Sequence, residues 1–206
     1  WHISGLAEQA PRVVLEHSAV TGNSEGFVQP YTDSPMESER VAENVYLNLL
    51  AAARESIWFI TPYLIISDEM ISALGLAAKR GVDVRIITPG IPDKKTVYQV
   101  TRSYYASLVS QGVRIFEYVP GFCHAKQCLC DGVMASIGTS NLDYRSLYHH
   151  FENNVLLYGS EAVEKIAEDF EELFPQCEEV TEKYQTGRRK LLMLWQCILR
   201  LFAPLM

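Results

Sequence analysis

Short runs of β-branched and aromatic residues alternate with longer segments of helical periodicity along most of this chain. Such an alternation is typical of a sheet whose strands are connected by helices, because each helix buries its apolar face against the sheet. The sequence therefore predicts an α/β fold in which a central mixed, mostly parallel sheet is flanked by helices on both faces. The clearest predicted strands are "SIWFIT", "VDVRIIT", "VRIFEYV" and "FENNVLLYG".

The predicted helices begin at capping residues. In the first, "SPMESERVAENVYLNLLAAARE", Ser34 is the expected N-cap, Pro35 the first helical residue and Glu37 the partner that completes a capping box. Further helices are expected over residues 68–79, over roughly 94–110 and after Ser160. The helix that follows Ser34 and the helix after Ser160 have apolar residues at helical spacing, which predicts that they pack on the sheet.

Length and composition fit a single globular domain. With 206 residues, of which 48% are hydrophobic and 21% charged, the chain can bury a core of its own. The net charge of −7 argues against a protein dedicated to nucleic acid, since such proteins usually have a basic surface. The five cysteines have no disulfide-framework spacing, which favours a reducing compartment.

The two ends of the chain have different compositions. The start lacks the basic and apolar segments of a signal peptide and runs into a predicted strand, "RVVLEHSA", so we expect a piece of a longer protein. The apolar run near the end is too short to span a bilayer and contains Arg200. We predict a catalytic domain over residues 1–187 and a basic and apolar tail over residues 188–206. A helix in this tail would either lie at a membrane interface or pack on protein.

The stretch "CHAKQCLCDGVMASIGTSN", residues 123–141, combines side chains suited to phosphate chemistry. On a strand, His124 and Lys126 project from the same side, so that a phosphoryl oxygen can bridge a nucleophile or proton carrier and a fixed cation. Asp131 has the opposite parity and is expected to brace the following turn.

The residues after that turn add uncharged donors and a carboxylate. Thr139, Ser140 and Asn141 can stabilise charge on phosphate oxygens without quenching a nucleophile. Glu152, at the start of another strand, can orient the His124 ring and fix its tautomer.

A metal site is the rival interpretation of this stretch, because Cys123, His124, Cys128 and Cys130 cluster in sequence. Their spacing matches none of the usual zinc arrangements, and a lysine among the ligands would repel a cation. We therefore predict no metal.

These residues resemble a known family. "HAKQCLCD", "GTSNLDYRS" and "FENN" resemble the His-x-Lys-x4-Asp motif of the phospholipase D superfamily and its Gly-Ser-x-Asn continuation, with Thr139 where serine is commoner. The resemblance is closer still to the C-terminal half of bacterial cardiolipin synthases, which predicts a phospholipase D-like fold. It extends over "VQPYTDSP", "TPYLI", "AAKRGVDVRIITPG" and "RSYYASLVSQGVRIFEYVPGFCHAK".

The resemblance implies a role for each motif residue. His124 would be one of two active-site histidines, of which one forms a phosphatidyl-histidine intermediate and the other moves the proton of the leaving and incoming alcohols. Lys126, Thr139 and Asn141 would hold phosphate oxygens, Asp131 would support the motif, and Glu152 would orient His124. The resemblance implies no cofactor.

Only one His-x-Lys pair occurs in the sequence, so the chain would supply half of such an active site. His2, His17, His149 and His150 all lack a lysine two residues on. The second motif-bearing half would come from a longer polypeptide that includes this chain, or from a second copy across a two-fold axis. We expect surface or loop roles for His149 and His150.

The function implied is a phosphatidyltransferase that makes cardiolipin from two phosphatidylglycerol molecules at the cytoplasmic side of the cell membrane. One alternative is a homodimeric phosphodiesterase with a single motif, either a phospholipase D or a nuclease; another is a non-catalytic lipid-binding domain. No nucleic acid is expected as a partner. Lys94, Lys95 and Arg102 are candidates for headgroup contact, with a solvated face as the other possibility.

Overall fold

A computed structural model describes residues 25–185 of the chain. The strand predicted for "RVVLEHSA" and the tail over residues 188–206 lie outside the described residues. Strands and helices alternate as the sequence predicts, and a 3₁₀ turn at Phe174–Gln176 precedes the last strand. The elements are β1 Phe27–Asp33, α1 Val41–Ala52, β2 Ser56–Ile60, β3 Leu64–Ile65, α2 Asp68–Lys79, β4 Asp83–Pro89, α3 Lys95–Val109, β5 Arg114–Tyr118, β6 Gln127–Cys130, β7 Met134–Gly138, β8 Leu142–Asp143, α4 Tyr144–His149, β9 Glu152–Tyr158, α5 Glu161–Leu173, β10 Cys177–Glu179 and α6 Thr181–Gln185.

The central sheet is mixed, as predicted, but it is not mostly parallel. Its eight strands run in the order β1-β9-β7-β6-β2-β4-β5-β10. The neighbours β2–β4 and β4–β5 are parallel, and the other five pairs are antiparallel. A parallel pair needs a long crossover: α2 connects β2 to β4 and α3 connects β4 to β5, whereas a tight turn joins β6 to β7 and makes them antiparallel.

Helices cover both faces of the sheet, which confirms the predicted layering. Successive side chains of β2 point to opposite faces, so Ile57 and Phe59 join one apolar cluster and Ile60 joins the other. The first cluster is completed by α1, α2, α3 and α6, and the second by the α5 residues Val163, Ile166 and Phe170. In the described residues, no helix is long and apolar enough to cross a bilayer.

The first helix begins later than its sequence signals predict. It starts at Val41, and Ser34 instead opens a turn in which its carbonyl accepts from Glu37 N at 3.1 Å. The acceptor at the helix start is the buried carboxylate of Asp33, which takes the N–H groups of Val41 at 2.6 Å and Ala42 at 2.8 Å. A carboxylate satisfies two backbone donors and favours the helix dipole, so it replaces the predicted serine cap.

Antiparallel pairing of β6, β7 and β9 brings the motif residues together. Gly138 N donates to Lys126 O at 3.3 Å, and Gly138 lies opposite Asn154 in the β7–β9 register. A Cβ on Gly138 would lie only 2.5 Å from Asn153 O, so the glycine allows close approach of β9. Residues 126, 138–141 and 152–154 therefore lie close together, where β6 begins, β7 ends and β9 begins.

Candidate active site

His124 and Lys126 lie in an extended segment just before β6, not within a strand as predicted. The Lys126 side chain is half-buried, and its Nζ donates to His124 O at 2.7 Å. The short link keeps the ammonium beside the histidine. Burial lowers the pKa of Lys126, and the negative charges of Glu152 and Asp143 oppose that effect.

The His124 ring is exposed and lies against Phe122, with 5.7 Å between ring centroids. Partial burial lowers the pKa of His124, the positive charge of Lys126 lowers it further, and Asp93 opposes both. A lowered pKa favours the neutral imidazole near pH 7. Neutral imidazole keeps the nitrogen lone pair that a nucleophile or general base requires.

A buried hydrogen-bond cluster holds the carboxylate of Glu152, which is 8% exposed. Thr139 Oγ1 donates to Glu152 Oε2, and Ser146 Oγ donates to Glu152 Oε1 at 2.5 Å. Asn141 N donates to Ser146 Oγ at 2.8 Å. The cluster fixes the backbone at Thr139 and Asn141, the residues predicted to hold phosphate oxygens.

The predicted Glu152–His124 interaction does not occur within this chain: in the described residues, the Glu152 carboxylate accepts from Thr139 and Ser146. His150 Nδ1 lies 3.6 Å from Glu152 Oε1. The orienting role of Glu152 therefore stays a prediction. His150 is 47% exposed, which fits its predicted surface role, but its position beside this carboxylate was not predicted.

Sequence reasoning also missed Ser146. This fully buried serine lies in the first turn of α4, which Asp143 caps by accepting the Ser146 N–H at Oδ1 at 2.7 Å. The sequence does contain a signal for this helix start, because Asp143 lies three residues before Ser146, a common spacing between an N-cap side chain and the N–H group that it accepts. Ser140, considered as a phosphate donor, is instead buried and bonded to the Asn154 amide at 2.7 Å.

Asn141 is fixed by a small parallel sheet beside it. In this second sheet β3 pairs with β8, so that Leu64 lies opposite Leu142. Leu142 N also donates to Thr61 Oγ1 at 3.0 Å. The Oδ1 atom of Asn141 is buried and has no hydrogen-bond partner among the described residues, which leaves the amide oriented but incompletely satisfied.

Asp131, at the far end of β6, anchors the segment that leads into β2, not the turn that follows it as predicted. Its carboxylate accepts the N–H groups of Arg54, Glu55 and Ser56 at 2.9, 2.8 and 2.8 Å. The backbone at Asp131 has a φ of +51°, a conformation that this bonding holds. These contacts fit the supporting role expected from its parity in the sequence.

We expect Asp131→Asn to lower the free energy of unfolding by about 2 kcal/mol, because charged acceptors bond backbone donors more strongly than neutral ones. Burial raises the pKa of Asp131, but the three backbone donors outweigh it and hold the pKa below 3.8. The stabilisation is thus complete above the unfolded pKa and is lost as the pH falls through the lower folded pKa. Urea unfolding at pH 7 and pH 2.5 measures both effects, and an equal loss in the variant at both pH values would contradict this role.

Arg102, a candidate for headgroup contact, instead forms an ion pair with Glu117. Its guanidinium donates from Nε to Glu117 Oε1 at 2.8 Å and from Nη2 to Oε2 at 2.5 Å, while Glu117 is 5% exposed. Lys94 and Lys95, by contrast, are exposed at the start of α3. Of the three candidates, only Lys94 and Lys95 are therefore available to contact a headgroup.

The cysteines of the motif point into protein. Cys128 and Cys130 are buried, and Cys130 Sγ donates to Leu49 O at 3.6 Å. Burial raises the pKa of both thiols, so the thiolate forms that bind metal are disfavoured. Between residues 25 and 185, no group of three or more histidine, cysteine or acidic side chains is arranged to hold a metal ion.

The fold resembles that of a solved phospholipase D family member. Nuc from Salmonella typhimurium superposes with a TM-score of 0.64 at 21% identity, over 75% of this chain and 98% of that one. At this identity the likeness concerns the fold alone, and it agrees with the phospholipase D-like architecture expected from the sequence.

Sequence comparison gives a closer relationship. An uncharacterised protein of Streptococcus mutans is 43% identical over 97% of this chain, and Cardiolipin synthase 2 of Bacillus cereus is 37% identical over all of it. The chain spans less than half the length of these relatives, 43% and 40% respectively. Residues 46–174 match the family described as cardiolipin synthase, PLD-like domain. With more than half of its residues matched, the chain belongs to the cardiolipin synthase family of phospholipase D-like domains.

Proposed function

We propose that this chain supplies one half of the active site of a phosphatidyltransferase that makes cardiolipin and glycerol from two phosphatidylglycerol molecules. The observation that carries the proposal is that His124 and Lys126, just before β6, lie beside the end of β7 that leads to Thr139 and Asn141, in a chain of this family. A nucleophile, a cation and neutral donors close together are what phosphodiester chemistry requires.

The proposed reaction has two displacements at one phosphorus. In the first, an imidazole nitrogen forms a bond to phosphorus while the bond to the glycerol oxygen breaks, and a second histidine protonates that oxygen. In the second, the same histidine takes the proton from a hydroxyl of another phosphatidylglycerol, whose oxygen displaces the imidazole. Lys126 offsets the negative charge of the phosphate oxygens and the Asn141 amide donates a hydrogen bond to them throughout, and the covalent intermediate lets an alcohol rather than water complete the reaction.

The second histidine would belong to another motif-bearing half. This chain has one His-x-Lys pair and spans less than half the length of its curated relatives, which supports a site completed by further sequence or by a second copy. The same relatives support a membrane surface as the place of reaction, since the proposed substrates are lipids. The interfacial role of residues 188–206 remains part of this proposal.

Product analysis tests the function. The whole protein is incubated with phosphatidylglycerol vesicles, and the lipids are identified by mass spectrometry. Cardiolipin with equimolar glycerol is the expected result. Phosphatidic acid as the main product would make the protein a hydrolase. Cleavage of DNA that weakens steeply with salt, without any lipid product, would favour the homodimeric nuclease instead.

A further inference from the structure

A cleft of about 420 Å³ adjoins the candidate phosphate-binding residues. Asn141 and Arg145, from the segment that leads through β8 into α4, form one wall. Lys94 and Thr96, at the start of α3, form another. The cleft therefore opens directly beside the amide predicted to hold a phosphate oxygen.

Two cationic side chains, Arg145 and Lys94, line this cleft. Arg145 is exposed and has no ion pair or hydrogen bond between residues 25 and 185, whereas Arg85, Arg102 and Arg114 are each paired with a carboxylate. The Lys94 ammonium lies 5.9 Å from the centroid of the Tyr63 ring.

The acidic groups near the cleft are already engaged. Asp93 accepts the Tyr63 hydroxyl at 2.5 Å and the Lys94 N–H at 2.7 Å. Asp143 is 5% exposed and caps α4 through Ser146 N. Asp93 is exposed and keeps its charge, but the cleft lining itself has the two cations Lys94 and Arg145 against the buried carboxylate of Asp143.

We propose that Arg145 and Lys94 bind the phosphate of the acceptor lipid, a phosphodiester distinct from the one that reacts. This inference rests on the proposed function, in which two phosphatidylglycerol molecules meet at one site and each has a phosphate. In the proposed function, Lys126 and Asn141 hold the donor phosphate, and Asn141 also lines the cleft. An acceptor phosphate held by Arg145 and Lys94 keeps the free hydroxyl of its headgroup in the cleft that Asn141 also lines, next to the donor phosphate.

The test compares two fates of one intermediate. The whole protein is incubated with phosphatidylglycerol vesicles and radiolabelled glycerol, which can also accept the phosphatidyl group but has no phosphate. The ratio of cardiolipin to labelled phosphatidylglycerol reports the choice of acceptor. Because both products arise from the same intermediate, the ratio does not change with the amount of active protein.

Arg145→Gln and Lys94→Gln are each expected to lower this ratio about tenfold, the loss of roughly one charge-assisted contact. Arg145→Lys should restore part of it. Lys165→Gln, which removes an equal charge from an exposed pair with Glu161 on α5, should leave the ratio unchanged.

An unchanged ratio in both glutamine variants would overturn the proposal. If total turnover then fell, the two residues would bind the donor. If added inorganic phosphate slowed the parent and left the ratio constant, the cleft would be a site for free phosphate. If the parent made neither product, the proposed function itself would fail.

Discussion

Replacing His124 by alanine is expected to reduce phosphatidyl transfer by at least about 10³-fold, because loss of a residue that forms or cleaves bonds removes most of the catalytic acceleration. The imidazole is exposed and its pKa is lowered by partial burial and by Lys126, so the reactive neutral form prevails near pH 7. Neither Lys126 nor Asn141 can replace it, because an ammonium and an amide lack a nucleophilic lone pair at that pH.

The measurement is total turnover of phosphatidylglycerol, summed over cardiolipin, exchanged glycerol and phosphatidic acid. His149→Ala is the matched control: this histidine is also exposed, and it lies beyond Tyr148 at the end of α4. The control should keep turnover within about twofold of the parent, as is usual for surface substitutions. Turnover in His124→Ala within tenfold of the parent would contradict the role of His124.

Arg102→Ala is expected to lower the free energy of unfolding by about 3 kcal/mol, because it leaves a buried carboxylate without its partner. Glu117 is 5% exposed and accepts two hydrogen bonds from the guanidinium. Burial lowers the pKa of Arg102, but Glu117 outweighs that effect and raises it. The pair joins α3 to β5, so its loss weakens the layer against which the cleft is built.

Chemical denaturation of the parent and the variant measures this difference. The double variant with Glu117→Gln should recover part of the lost stability, since the uncompensated charge is then removed. An unchanged unfolding free energy together with a loss of turnover would contradict the structural role. With that result, Arg102 would again be a candidate for contact with a lipid headgroup.

Local signals predicted the helices and the strands well and the strand directions poorly. The helix α2 spans Asp68–Lys79, the range expected from the sequence, and Ser67 accepts from Met70 N at 3.1 Å at its start. The start of α1 was wrong because Asp33, outside the predicted capping box, takes over its first N–H groups. The mostly parallel sheet was wrong because strand direction depends on which distant strands pair, and a local run of apolar residues does not specify that.

The candidate site was predictable where it depends on the spacing of a motif. Spacing selected the candidates from His124 to Glu152, whose catalytic roles stay predictions. Alternation along a strand predicted a supporting role for Asp131, and its carboxylate anchors the segment before β2. Spacing could not predict that Glu152 accepts a hydrogen bond from Ser146, or that Arg102 forms an ion pair with Glu117. Those contacts depend on how helices and loops pack around the sheet, and the cleft beside Asn141 arises in the same way.

The central claim, transfer through a covalent intermediate on histidine, is tested most directly by the stereochemical course at phosphorus. Phosphatidylglycerol made chiral at phosphorus with oxygen isotopes is converted by the whole protein, and the configuration of the transferred phosphate in cardiolipin is determined. Each in-line displacement inverts the configuration, so two successive displacements predict retention. Inversion would show a single direct displacement and would contradict a phosphatidyl-histidine intermediate.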